Sequence, residues 1–186
     1  MSERYLLDVA KKKTALLGLA FVVLLGLACA ENMFFYSILS EVLRNLLLAV
    51  IMLFLHNVLV VSLMLLGMTF YVNLVVLNFF RKEKYSDIVI SHPRAFALIF
   101  SILIVILSVV RGANMTYGSV NLGLLPLMLL ISTPIGIVEG YGIYLTIKRT
   151  LSRTMSTRSL IMIYCVFLLA SMMEVAFIYG LIMLTT

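Results

Sequence analysis

From Leu46 to Phe80 the chain is almost continuously apolar for about 35 residues. A helix needs about 20 apolar residues to cross the hydrocarbon layer of a bilayer. A run this long therefore exceeds one comfortable crossing, and it has no place in the core of a small soluble domain. Further apolar stretches occur at 14–30, 94–110, 120–147 and 159–185. Of the 186 residues 63% are hydrophobic and only 12% are charged, too few to cover a soluble surface. The fold class that follows is all-α: a polytopic helical membrane protein, one membrane domain over residues 1–186, with no separate soluble unit.

The charges set the expected topology. The net charge is +6. The cations cluster at Arg4 with Lys11–Lys13, at Arg81, Lys82, Lys84 and Arg94, and at Lys148, Arg149, Arg153 and Arg158. Such clusters are better read as cytoplasmic anchors than as a nucleic-acid surface. The Lys-rich start, the apolar run and Ala28-Cys29-Ala30 imitate a secretory signal peptide. The expectation is nevertheless a retained first span over 14–30.

The mixed stretch after it contains Glu31, Asn32, Glu41, Arg44 and Asn45. If both 33–55 and 57–80 crossed the membrane, the basic loop 81–84 would fall outside, against the positive-inside rule. Residues 33–55 are therefore expected as an interfacial or re-entrant helix, divided from the second span at His56-Asn57. Spans at about 57–80, 94–110, 120–147 and 159–185 follow. The expected result is five spans, with the amino terminus cytoplasmic and the carboxyl terminus external. Residues 111–119 form an external loop in this scheme. It carries Asn114-Met115-Thr116, a glycosylation acceptor pattern.

Polar residues at membrane depth are costly and mark the informative positions. In the fourth span Pro134 removes a helix hydrogen bond and is expected to break the helix, and Glu139 places a carboxyl group nearby. Gly136 and Gly140 have the spacing that lets another backbone approach, and Gly136, Glu139 and Gly140 are expected on one face. In the second span Asn57, Val61, Met64, Met68, Tyr71, Val75 and Asn78 recur at alternating spacings of four and three, which reads as a packing seam. Its two asparagines each need a polar partner. In the fifth span Tyr164, Ser171 and Glu174 share a stripe. By the helical rise Glu139 lies about 12 Å and Glu174 about 22 Å from the cytoplasmic ends of their helices, so the two acids need not meet.

His56 and His92 are the only histidines and no acidic cluster adjoins them, so neither a metal site nor a cofactor is expected. No His-Glu-x-x-His, Gly-x-Ser-x-Gly or Walker-type Gly-rich sequence occurs. The sequence gives no case for an enzyme, and an ATP-driven role would need a partner. Cys29 and Cys165 sit in apolar surroundings and are expected as buried free thiols.

Two stretches carry a family resemblance. His56-Asn57-Val58-Leu59-Val60-Val61 followed by Gly67, and Pro134-Ile135-Gly136-Ile137-Val138-Glu139, resemble the two motifs of the stage II sporulation protein M family. The family's usual histidine is replaced by Ile135, Tyr141 stands where a proline often follows the acid, and Asn78 resembles the asparagine of a later Asn-Gly pair. The resemblance implies a non-enzymatic scaffold or subunit in a larger membrane assembly. Its partners would be the bilayer and other membrane or envelope subunits, with a second copy of the chain or an ATPase as alternatives. The other reading is a transporter or permease subunit with a polar site at the fourth span. The residues of interest are His56, Asn57, Gly67, Asn78, Pro134, Gly136, Glu139 and Glu174.

Overall fold

A computed structural model describes residues 2–42, 45–77, 88–117 and 125–185. They form α1 (Ser2–Val42), α2 (Leu46–Val76), the short α3 (Ile88–Ser91), α4 (Pro93–Tyr117), α5 (Leu125–Leu151) and α6 (Thr157–Thr185). No strand occurs among the described residues. Among the described residues three stretches are long and apolar enough to cross a membrane, Val9–Glu31, Leu46–Val76 and Thr157–Gly180, and Pro93–Ile106 is a shorter apolar helical stretch.

The helix ends follow local chemistry. Asn45 has extended backbone angles, and its side-chain oxygen accepts from the Leu47 and Leu48 amides at 3.1 and 3.2 Å. This N-cap satisfies donors that have no partner within the helix. Pro93 starts α4, where a missing amide proton costs nothing, and the His92 carbonyl accepts from Phe96. At the end of α5 Arg153 is left-handed (φ 54°), Thr154 donates to the Arg149 carbonyl and Arg153 to that of Thr150. That pair of bonds is a Schellman closure, here without the glycine that usually supplies it. Ser156 then caps α6, its hydroxyl accepting from the Ser159 amide at 3.2 Å. The Arg149 guanidinium donates to the Ser159 hydroxyl and ties the two helices together across the turn.

The helices form a chain of neighbours. α1 packs chiefly on α2, α2 on both α5 and α6, α5 on α6, and α4 on α5. The main core lies where α2, α4, α5 and α6 meet, with Val61, Ala97, Ile147, Leu151, Ile163 and Phe167 buried. A second cluster joins Val42, Ala49, Leu53 and Val175. Between α1 and α2 two glycines each receive a phenylalanine of the other helix. A Cβ on Gly18 would lie 2.9 Å from the Phe70 ring, and one on Gly67 would lie 2.8 Å from the Phe21 ring. Between α5 and α6, a Cβ on Gly142 would lie 2.6 Å from the Phe167 ring. In lipid, where burial from water no longer drives association, such close packing is what holds helices together.

Several expectations are corrected. Residues 33–55 are not one element: 33–42 continue α1 and 46–55 open α2, with the turn at Asn45. His56-Asn57 does not divide the apolar run, because α2 passes through it unbroken. Both side chains bond sideways to other helices, and the backbone keeps its own ladder. Pro134 does not break α5. A proline removes a single amide donor, and the helix resumes its bonding on either side. Asn114-Met115-Thr116 lies in the last turns of α4 and not in a loop. Cys29 and Cys165 are free but exposed. Asn78, the basic loop 81–84 and residues 118–124 lie outside the described residues.

Candidate functional site

Several hydroxyl groups of the apolar helices bond to their own backbone. Thr14, Ser62, Thr69, Thr146, Thr150 and Ser171 each donate to the carbonyl four residues back. This satisfies the hydroxyl proton within its own helix. Other polar groups reach between helices and form a belt across the structure.

The belt begins between α1 and α2. The glycine–phenylalanine contacts fix an antiparallel register in which residue 18 lies by 70 and residue 21 by 67. Carried along both helices, that register sets Glu31 beside His56. His56 Nδ1 lies 2.9 Å from Glu31 Oε2 and 3.1 Å from Oε1. The pair is partly shielded, with side-chain exposures of 14% for His56 and 31% for Glu31.

The next residue on α2 turns to α6. Asn57 Nδ2 donates to Ser171 Oγ at 3.1 Å, and Ser171 in turn donates to the Phe167 carbonyl. Ser171 is fully buried. It therefore acts as both acceptor and donor in an apolar interior, where an unmatched amide would be expensive. One helical turn further along α6 is Glu174, which has interactions of its own. Its carboxyl group lies close enough to that of Glu139 on α5 for the two to repel when both are charged. Depth estimated from each helix alone gave these acids no need to meet. The packed structure brings them within electrostatic reach.

His56, Asn57, Glu174 and Glu139, together with Glu31 and Ser171, thus run from α1 through α2 and α6 to α5. The helical rise puts His56 about 15 Å from the start of α2 and Glu139 about 13 Å from Lys148. The other residues singled out in the sequence take different positions. Gly67 is the seat for Phe21 on α1. Gly136 and Gly140 face α4, where an added Cβ would meet Val105 at 3.2 and 3.3 Å. Both line a cavity on that side, and Glu139 does not. Pro134 is exposed on α5. The seam on α2 faces the core as its spacing suggests: Val61 and Val75 are buried and Met64 and Met68 pack on the cluster. Sequence reasoning missed Glu31 as the partner of His56, because it placed Glu31 in a connecting segment. The reciprocal Gly/Phe spacing of 18/21 and 67/70 was the signal that could have found it.

A cavity of about 440 Å³ lies elsewhere, between α4 and α5, with Ser101, Val105, Gly136, Gly140 and Tyr144 on its walls. Glu139 is not among its lining residues. No group of three or more metal-ligating side chains occurs among the described residues. Compared with protein-family models, curated proteins and solved structures, the chain has no match in any of the three.

Proposed function

We propose that the chain is an integral membrane scaffold, a non-enzymatic subunit of a larger membrane complex, as its resemblance to the stage II sporulation protein M family implies. In this reading α1, α2, α4, α5 and α6 are five spans. The amino terminus is cytoplasmic and the carboxyl terminus external. Support for that orientation comes from Lys11–Lys13, Arg94, Lys148, Arg149, Arg153 and Arg158, which this antiparallel arrangement gathers at one end of the helices.

The observation that carries the scaffold reading is how polar side chains are used. Asn57 is committed to Ser171 and His56 to Glu31, each joining two helices. Meanwhile the outer faces of α1 and α4 present large apolar side chains, among them Leu16, Leu19, Val22, Ile99 and Ile102. Such a molecule has internal fasteners and broad surfaces for lipid and neighbouring helices. The partners proposed are other membrane or envelope subunits, with a second copy of the chain or an ATPase as alternatives. Mass measurement of the intact protein released from membranes in mild detergent tests this. The expected result is a mass above one chain by a whole number of protein subunits. A lone chain under conditions that preserve known membrane complexes would overturn it.

The neighbouring acids Glu139 and Glu174 favour a second reading, a transporter or permease subunit. It predicts that Glu139→Gln abolishes proton or solute flux in reconstituted vesicles while leaving assembly intact. Unchanged flux would remove it.

A further inference from the structure

The cavity between α4 and α5 has features the polar belt does not explain. The two helices run antiparallel, with Val105 over Gly136 and Gly140. The glycines leave a trough on α5, and Val105 with the buried Ser101 forms its α4 side. Ser101 turns its hydroxyl to the Leu98 carbonyl, so the trough offers an apolar wall. Ile102 and Ile137 line it and are exposed at 53% and 65%, which places the opening on the outer face of the helix pair. The volume of about 440 Å³ is in the range of a small-ligand site.

One end of this trough is cationic. Leu98 and Tyr144 line the cavity. Arg94 lies one helical turn before Leu98 on α4, and Lys148 one turn after Tyr144 on α5. Continuing the Val105–Gly136/Gly140 register brings positions 94 and 148 opposite each other. Lys148 Nζ sits 5.4 Å from the Tyr144 ring centroid, which holds the ammonium group over the cavity's rim. Among the described residues no acid pairs with Arg94 or Lys148.

We infer that this trough binds one anionic phospholipid of the cytoplasmic leaflet, with an acyl chain along Gly136 and Gly140 and the phosphate between Arg94 and Lys148. The inference rests on the membrane-spanning reading of α4 and α5 and not on the scaffold role. An apolar slot alone would accept any chain. The paired cations at its cytoplasmic end favour a head group of net negative charge: the guanidinium can take the phosphate through two parallel hydrogen bonds, the ammonium group adds a second charge, and both repel a cationic choline.

The test uses the full chain in nanodiscs containing equal phosphatidylglycerol and phosphatidylcholine, released for native mass spectrometry. The expected spectrum shows one phosphatidylglycerol retained per chain. Arg94→Gln with Lys148→Gln lowers the retained fraction at least tenfold. Ile137→Trp, which fills the trough from its open side and leaves both cations in place, lowers it as much. Ile161→Trp, on an exposed face of α6 outside the cavity, leaves it unchanged. Retention of both lipids alike, loss of lipid from the parent chain, equal effects of the two tryptophans, or a second copy of the chain seated in place of lipid would each overturn the inference. The presence or absence of other subunits in the spectrum bears separately on the scaffold reading.

Discussion

The α1–α2 hairpin and the α5–α6 hairpin are built from the same materials and held in different ways. In α5–α6 the turn is fastened on both sides, by the Schellman closure at Arg153, the Ser156 cap and the Arg149–Ser159 bond. Behind it Ile147, Leu151 and Ile163 are almost wholly buried. In α1–α2 the described part of the turn carries the Asn45 cap and the Asn45 amide donating to the Val42 carbonyl, and Leu16, Leu19 and Val22 on α1 are each more than 60% exposed. The first pair shares a core behind its turn, with apolar residues such as Ile137 and Ile161 exposed on its outer faces. The second is a core on one side only, with α1 as a rib laid along α2 by two glycine–phenylalanine contacts and one His–Glu pair. Inside a membrane exposed leucine carries little penalty, so a half-covered helix is stable there as it would not be in water.

The sharpest way to break this contrast is to add bulk at matched glycines. Gly142→Val drives a side chain into Phe167, which is 3% exposed and has nowhere to move. A loss of about 1–3 kcal/mol, the usual overpacking range, is expected in unfolding measured in detergent. Gly67→Val meets Phe21, whose ring can swing out beside the exposed faces of α1, and a smaller loss is expected. Equal losses would mean that the two hairpins are equally constrained.

Capping comes next. Asn45→Ala removes the acceptor for two amides at the start of α2, and about 1 kcal/mol should be lost. Ser156→Ala should cost at least as much, because the Ser156 hydroxyl also lies 2.9 Å from Ser159 Oγ. Hydrogen-exchange protection of the first turn of each helix reads both effects.

The third change has the opposite sign. Arg153→Gly relieves a left-handed conformation that a side chain disfavours, and should stabilise the α5–α6 turn by about 0.5–1 kcal/mol, part of the gain being offset by the freedom glycine has when unfolded. The smallest effect is expected at the pair on the rib. Glu31→Gln leaves His56 a neutral neighbour in a partly exposed setting, where such pairs contribute about 0–1 kcal/mol. A larger loss there would show that α1 is held by its His56–Glu31 contact more than by its packing.

The helical class and the core-facing seam on α2 were legible in the residues, because each rests on composition or on period. The interruptions were misread. Pro134, His56-Asn57 and Glu31-Asn32 each look like a reason for a helix to stop, and each lies inside a helix. A local rule sees the cost of a polar residue or a proline but not the partner that offsets it. Glu31 and His56 are 25 positions apart, and Asn57 and Ser171 are 114 apart. Only the packing of one helix on another brings such partners together. The same limit explains the acids: a depth count along α5 and along α6 treats the helices as parallel rods, and Glu139 and Glu174 come within reach once the helices pack.

The account turns on polar side chains acting as fasteners between helices, and the Asn57–Ser171 contact isolates that property. Asn57→Leu, Ser171→Ala and the double variant, unfolded reversibly in bilayer-like micelles, give the coupling between the two side chains directly. A coupling energy of about 0.6–1.7 kcal/mol is expected, within the range measured for hydrogen bonds between membrane helices. Strict additivity of the two single changes would contradict it, and the polar belt would then be a row of independent residues.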